Sequence, residues 1–206
     1  MQGALLWVYE GMTQYLGDVL AARSGLKNAQ QYRDMLAMTA ASLDYTRGRE
    51  WRPTQDTAVS VSILRGGNPA WANWRRSHDY YDEGELLWLD ADTLIRKMTE
   101  NKKSLDDFQK IFLGRGGNTG PLIVTYTFDE LVQDLNRVAP YDWATFLHDR
   151  AEKINPRADE LQPAMAVRIA GIRLDCESEL MGRSLTCFGG ALRTRPALHR
   201  ARRSWQ

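Results

Sequence analysis

The chain has 206 residues, 43% hydrophobic and 26% charged, a balance that suits one ordinary globular core, or one domain and an appendage. With 27 basic against 26 acidic residues the formal net charge is +1, so no global field recruits nucleic acid or an acidic membrane. Cys176 and Cys187 are too few for a disulfide framework, and His78, His148 and His199 show no i, i+4 pairing, so these five side chains assemble no recognisable zinc or iron site.

In chain order, residues 9–23 read as a first helix. Leu16, Val19 and Leu20 recur at helical steps, and Ser24-Gly25 closes it as a glycine C-cap. Glu10 sits at its head among large apolar residues. A carboxylate there is costly to bury without a cation, although a first-turn acid facing the helix dipole is the ordinary explanation. A second helix spans Ala29 to Thr46 with Tyr32, Met35, Leu36 and Leu43 on one face. Glu50 to Pro53 is a turn, because Pro53 biases the residue before it away from helix. Residues 54–64 are ambiguous: Val59-Ser-Val-Ser-Ile63 alternates like a strand, yet a helix could start from Thr54. Arg65 to Pro69 reads as a loop.

A long amphipathic helix follows from about Tyr80 to Thr99, with Leu86, Leu87, Leu89, Leu94 and Met98 as its apolar side and Trp88 adding bulk. The helix dipole explains Asp82, Glu83 and Glu85 at its start. Ser104 opens another helix, through Leu113, and Gly114 stops it. Gly114 to Pro121 is a structural loop, since it lacks the G-K-[ST] ending of a phosphate loop. Ile123 to Tyr126 suits a short extended piece, Thr127-Phe-Asp-Glu130 is a capping box opening a helix to about Val138, and Asp142 to Ile154 forms the last helix. The fold class expected is mainly α, with about six helices and little strand.

Two stretches carry a resemblance. Val8-Tyr-Glu-Gly-Met-Thr-Gln-Tyr-Leu-Gly17, continuing to Leu26, and Tyr80-Tyr81-Asp-Glu-Gly84 with Glu85-Leu-Leu-Trp-Leu-Asp-Ala-Asp92, are similar to segments of the glycyl aminopeptidase family. These are PDZ-containing zinc metallopeptidases of the thermolysin-like (gluzincin) superfamily. By pattern the similarity runs over residues 5–154, and it implies the multi-helix C-terminal lobe of a thermolysin-like catalytic domain. The resemblance assigns Glu10 as the third zinc ligand. It assigns Tyr81, with Tyr80 as the close alternative, as donor to the oxyanion of the tetrahedral intermediate; both tyrosines could equally be core aromatics at a helix start. It implies peptide substrates read from a free amino end, glycine or small residues preferred, and no nucleic-acid or membrane partner.

The departure from the family matters as much. No H-E-x-x-H, the source of two zinc ligands and the general base, occurs in this sequence. One carboxylate does not hold zinc against water. The chain is therefore expected to be an inactive fragment of the enzyme, corresponding to residues 1–155, or, as the other reading, a non-catalytic helical interaction module that self-associates through exposed apolar helix faces. No apolar run reaches the roughly 18 residues of a membrane span and no signal-peptide pattern is present, so the default compartment is cytoplasmic. His78 could lean toward a cleft but reads better as an exposed loop residue, and Trp71 and Trp74 could stack on a ligand but read better as packing against neighbouring helices. Residues 156–206 are expected to form a linker and the degenerate, partly disordered start of a PDZ-like region. Val167 to Leu174 resembles the strand leading into that domain, and the Arg-rich end after Phe188 suggests a shifted reading frame.

Overall fold

The computed structural model describes residues 3–64, 69–117 and 123–154, and among these every regular element is helical. The α-helices are α1 (Leu6–Arg23), α2 (Ala29–Tyr45), α3 (Thr54–Val59), α4 (Val61–Leu64), α5 (Ala72–Arg75), α6 (Asp82–Met98), α7 (Leu105–Phe112), α8 (Phe128–Val138) and α9 (Trp143–Ala151). Short 3-10 turns at Arg47–Glu50 and Pro69–Trp71 link α2 to α3 and lead into α5. The PDZ-like stretch, both cysteines, His199 and the Arg-rich end lie outside the described residues.

Several helices begin where local chemistry tells them to. In α2, α7 and α8 the N-cap side chain accepts from a first-turn backbone N–H, while the residue three further on accepts from the N-cap backbone: Asn28 with Gln31, Ser104 with Asp107, Thr127 with Glu130. The Asp107 and Glu130 carboxyls lie below their usual range, Glu130 through the Thr127 backbone N–H and Asp107 through the Ser104 N–H and Lys110, which outweigh its partial burial. At the end of α1, Gly25 takes φ +82, the left-handed conformation that stops a helix. The start of α1 differs. Leu5 provides no side-chain cap, and the turn bonds Leu6 N–H to Gly3 O and Val8 N–H to Leu5 O begin the winding.

The core forms where α1 crosses α6. Leu6, Trp7, Val8, Met12, Tyr15, Val19 and Ala22 of α1 are buried, as are Leu87, Trp88, Ala91 and Ile95 of α6. The backbones touch at Gly11 and Gly84, where an added Cβ would come within 2.5–2.7 Å of the opposite Cα. The Trp88 indole donates to the Val8 carbonyl at 3.1 Å, satisfying the one polar atom of a fully buried ring. Trp88, Phe108, Phe112 and Tyr126 then form an aromatic run, each ring 4.8–5.5 Å from the next, that carries the core into α7. Burial pushes the Tyr126 hydroxyl up to about 12, so it stays a donor to the Leu5 carbonyl at 3.2 Å. α8 and α9 close the far side with Leu131, Leu135, Trp143 and Leu147.

The open reading of residues 54–64 resolves as helix, Thr54–Val59 and Val61–Leu64, with Val59 and Ile63 facing solvent. Three sequence expectations change. Ile123 to Tyr126 is irregular and pairs with no strand. Leu20 is exposed, and the inward face of α6 is Gly84-Leu87-Trp88-Ala91-Ile95, whereas Leu89 and Leu94 sit at its margin and Met98 is exposed. Trp71 and Trp74 stand out into solvent instead of packing between helices.

Candidate active site

Both sequence-assigned stations lie beside the α1–α6 crossing. Glu10 is the residue before Gly11, and Tyr80 and Tyr81 precede Gly84 by four and three residues, so both stations adjoin the helix contact along the chain. Glu10 is half-buried at the rim of this contact, not sunk among the apolar residues around it. Those residues, Trp7, Val8 and Met12, turn inward, and Tyr9 turns outward. Tyr80 is buried and Tyr81 half-buried, with ring centroids 4.9 Å apart. The bonds Tyr81 N–H to His78 O (3.0 Å) and Glu85 N–H to Tyr81 O (2.8 Å) wind this segment into the start of α6. His78 is exposed, its ring 6.2 Å from that of Tyr80.

Beneath the tyrosines lies an ionic network that the sequence reading passed over. The Glu83 carboxylate is buried between two buried guanidinium groups, that of Arg76, which donates to Glu83 Oε2, and that of Arg49, whose Nη1 is 2.9 Å from Oε1. The Arg49 contact is Coulombic without hydrogen-bond alignment, so its three nitrogens lack a hydrogen-bond acceptor among the described residues. Arg76 also pairs with Asp79 at 2.8 Å and donates to the Arg52 carbonyl. Three charged side chains thus tie the first turn of α6 to the 47–52 and 72–76 segments. Glu83 looks like an ordinary first-turn acid in the sequence because its partners lie 34 and 7 residues before it (Arg49 and Arg76).

A second buried acid, Glu85, follows two residues later with no exposed surface. Neither carboxyl oxygen has a donor while Asp18 opposite is ionised, since two carboxylates share no proton. Burial, then repulsion from Asp18, pushes the Glu85 carboxyl up to about 8; protonated, it donates to Asp18. Asp18 in turn holds Lys27 at 2.8 Å. Because the folded-state value lies above the ordinary 4.5, this group's stabilising contribution is complete below that pH and is lost as pH rises through about 8. Thermal melts of the chain are therefore expected to fall steadily between pH 5 and pH 9, and Glu85→Gln to flatten that slope. A slope unchanged by the substitution would show that Glu85 does not titrate in this range. Further along, Asp92 accepts from the Tyr15 hydroxyl (2.8 Å), the Leu105 N–H (2.6 Å) and Arg96 (2.9 Å), a satisfied structural carboxylate joining α1, α6 and α7.

Comparison with family models places a match to the M61 glycyl aminopeptidases over residues 1–87. That span contains Glu10, Tyr80 and Tyr81. Over residues 1–87 the chain is similar to the glycyl aminopeptidase family. The match stops within α6, short of the 5–154 over which the sequence pattern extends the similarity. No curated protein matches the chain. Glycyl aminopeptidases are in general metallopeptidases, but the donors here do not fit a metal on their own. Among the described residues no group of three His, Cys, Asp or Glu side chains could hold an ion, and Glu10 alone would offer one carboxylate. What the matched segment does contain is a half-buried carboxylate on α1, a tyrosine pair just before α6, and a buried ionic network at the start of α6.

Proposed function

We propose that the chain is part of a zinc-dependent aminopeptidase that removes N-terminal glycine or other small residues from peptides, and that it is inactive alone. In this reading Glu10 contributes one zinc ligand, and the two histidine ligands and the general base come from polypeptide outside the chain. The Tyr81 hydroxyl, with Tyr80 as the alternative, donates a hydrogen bond to the anionic oxygen formed as the peptide carbonyl becomes tetrahedral. A phenol hydroxyl is a hydrogen-bond donor at neutral pH and suits that task. What supports the reading is the Gly11–Gly84 contact, which sets the Glu10 turn of α1 against the Tyr80–Tyr81 turn of α6 within the family-matched span. The partner is a peptide, with neither nucleic acid nor membrane implied; no described helix is long and apolar enough to cross a bilayer.

The test is zinc analysis and a glycyl-amide hydrolysis assay, first on the chain alone and then after mixing with a family H-E-x-x-H segment. The expected result is no retained zinc and no turnover alone, with activity after complementation. In the complemented enzyme Tyr81→Phe should lower kcat by about 10²–10³, the usual effect of losing one oxyanion donor. Stoichiometric zinc or turnover in the isolated chain would overturn the fragment reading, and an unaffected Tyr81→Phe enzyme would overturn the tyrosine's role. A second reading, a helical interaction module, draws support from the exposed Tyr9, Leu20, Leu26, Met38 and Tyr45 on α1, α2 and the turn between them. A monomer by light scattering at high concentration would remove that support.

A further inference from the structure

Away from the tyrosine station, Trp51, Trp71, Trp74 and Arg75 line an open recess of about 470 Å³. Its three rings are 44%, 59% and 45% exposed, a large apolar expenditure on a surface that also carries an exposed arginine. The lining is held in place from below. The Trp51 indole donates to the Trp74 carbonyl at 3.0 Å, and Arg52, itself buried, donates to the Arg75 and Arg76 carbonyls. The Asn73 amide donates to the Tyr45 carbonyl at 2.8 Å and its oxygen accepts from the Arg47 N–H at 3.2 Å. Gly48 presses so closely on the Trp74 carbonyl that a Cβ there would come within 2.6 Å of it. The Trp51 and Trp74 rings are 6.1 Å apart and tilted by 36°, and the buried Arg52 guanidinium lies over the Trp51 ring at 5.9 Å from its centroid. The Arg75 guanidinium has no ion-pair partner among the described residues, in contrast to its neighbour Arg76.

We infer that this recess binds a planar aromatic group bearing a carboxylate, the ring stacking on the tryptophans and the carboxylate meeting Arg75. A cage of three tryptophans would suit a cation, but no acid among the described residues lines it and the guanidinium repels one. A neutral sugar needs several donors and acceptors around its ring, and the lining offers one charged side chain. A flat anion uses both features: aromatic faces for the ring and the planar guanidinium fork for two carboxylate oxygens. Such a group occurs as a free aromatic acid or as the C-terminal residue of a peptide ending in phenylalanine or tyrosine. The inference is independent of the peptidase reading, because the site needs neither zinc nor the missing motif.

The experiment is calorimetric titration of the full chain with N-acetylphenylalanine, N-acetylphenylalaninamide, phenylacetate and Gly-Gly-Phe. Saturable binding of the acids is expected, with the amide about fivefold weaker, the scale of one exposed charge pair. Arg75→Gln should abolish the difference between acid and amide, and Trp71→Ala should weaken both by about tenfold. Both side chains are exposed, and unchanged circular dichroism would show that the variants fold. Tighter binding of Gly-Gly-Phe than of phenylacetate identifies a peptide terminus as the source, and the reverse identifies a free acid. Equal binding of acid and amide, no binding of any acid, or tighter binding of adenosine monophosphate than of N-acetylphenylalanine would overturn the assignment.

Discussion

Replacing Glu83 by alanine is expected to cost about 3–5 kcal/mol, the penalty for leaving buried charge uncompensated. The reason is the asymmetry of the network. Arg49 and Arg76 are both buried, and Glu83 is the acid they share; Arg76 would retain Asp79, whereas Arg49 has no other ion pair among the described residues. Removing the carboxylate leaves a guanidinium group in the core with neither counter-charge nor acceptor. Denaturant midpoints of Glu83→Ala and of the double variant Glu83→Ala with Arg49→Met separate the contributions. If the ionic account holds, the second substitution recovers part of the loss, because it removes the stranded charge. A Glu83→Ala chain within about 1 kcal/mol of the parent would show that water already reaches Arg49. The same substitution is expected to loosen the first turn of α6, where Tyr81 is attached, so a complemented enzyme should lose turnover along with stability.

The second large effect is expected at Gly84. A Cβ there would lie 2.7 Å from the Gly11 Cα and 3.0 Å from the Trp7 carbonyl oxygen, so it meets backbone that cannot rotate away. Gly84→Ala should therefore separate α1 from α6 and cost about 3 kcal/mol, the upper part of the usual overpacking range. Gly17→Ala is the internal control. Gly17 lies in the same helix as Gly11, with nothing within 4 Å of an added Cβ, and alanine there should stabilise by up to about 1 kcal/mol through helix propensity. Paired thermal melts decide the matter. If both substitutions shift the melting temperature in the same direction, close helix contact is not what makes glycine necessary at position 84.

Much of the helical framework was legible because its signals are local. Thr127 with Glu130, Ser104 at the start of α7, and Gly25 after α1 each act within a few residues, and each boundary falls within one residue of its expected place. What was hidden depends on partners far along the chain. The alternation at 59–63 left strand and helix both open because the segment is too short and too exposed to show a helical face. The inward side of α6 was misread toward Leu89, Leu94 and Met98. Its true face uses Gly84 and Ala91, small residues whose value lies in close approach, and it neighbours Glu83, Glu85 and Asp92, acids tolerated inside through Arg49, Arg76, Asp18, Tyr15 and Arg96. The two candidate stations could be located from the residues that resemble the family. Glu10 at the rim rather than the centre could not, because one helix sequence does not reveal which side its neighbour takes.

The glycine pair at the crossing also governs roll. With Gly11 pressed on Gly84, Trp88 hooked onto the Val8 carbonyl and the Tyr15 hydroxyl fastened to Asp92, α1 is gripped at three heights and cannot turn about its long axis without breaking one of them. Successive residues of a helix are spaced by about 100° of azimuth, so fixing Gly11 toward α6 also fixes the bearing of Glu10, a quarter-turn or so to one side. The aim of that carboxylate is thus set by the absence of a side chain on the residue next to it.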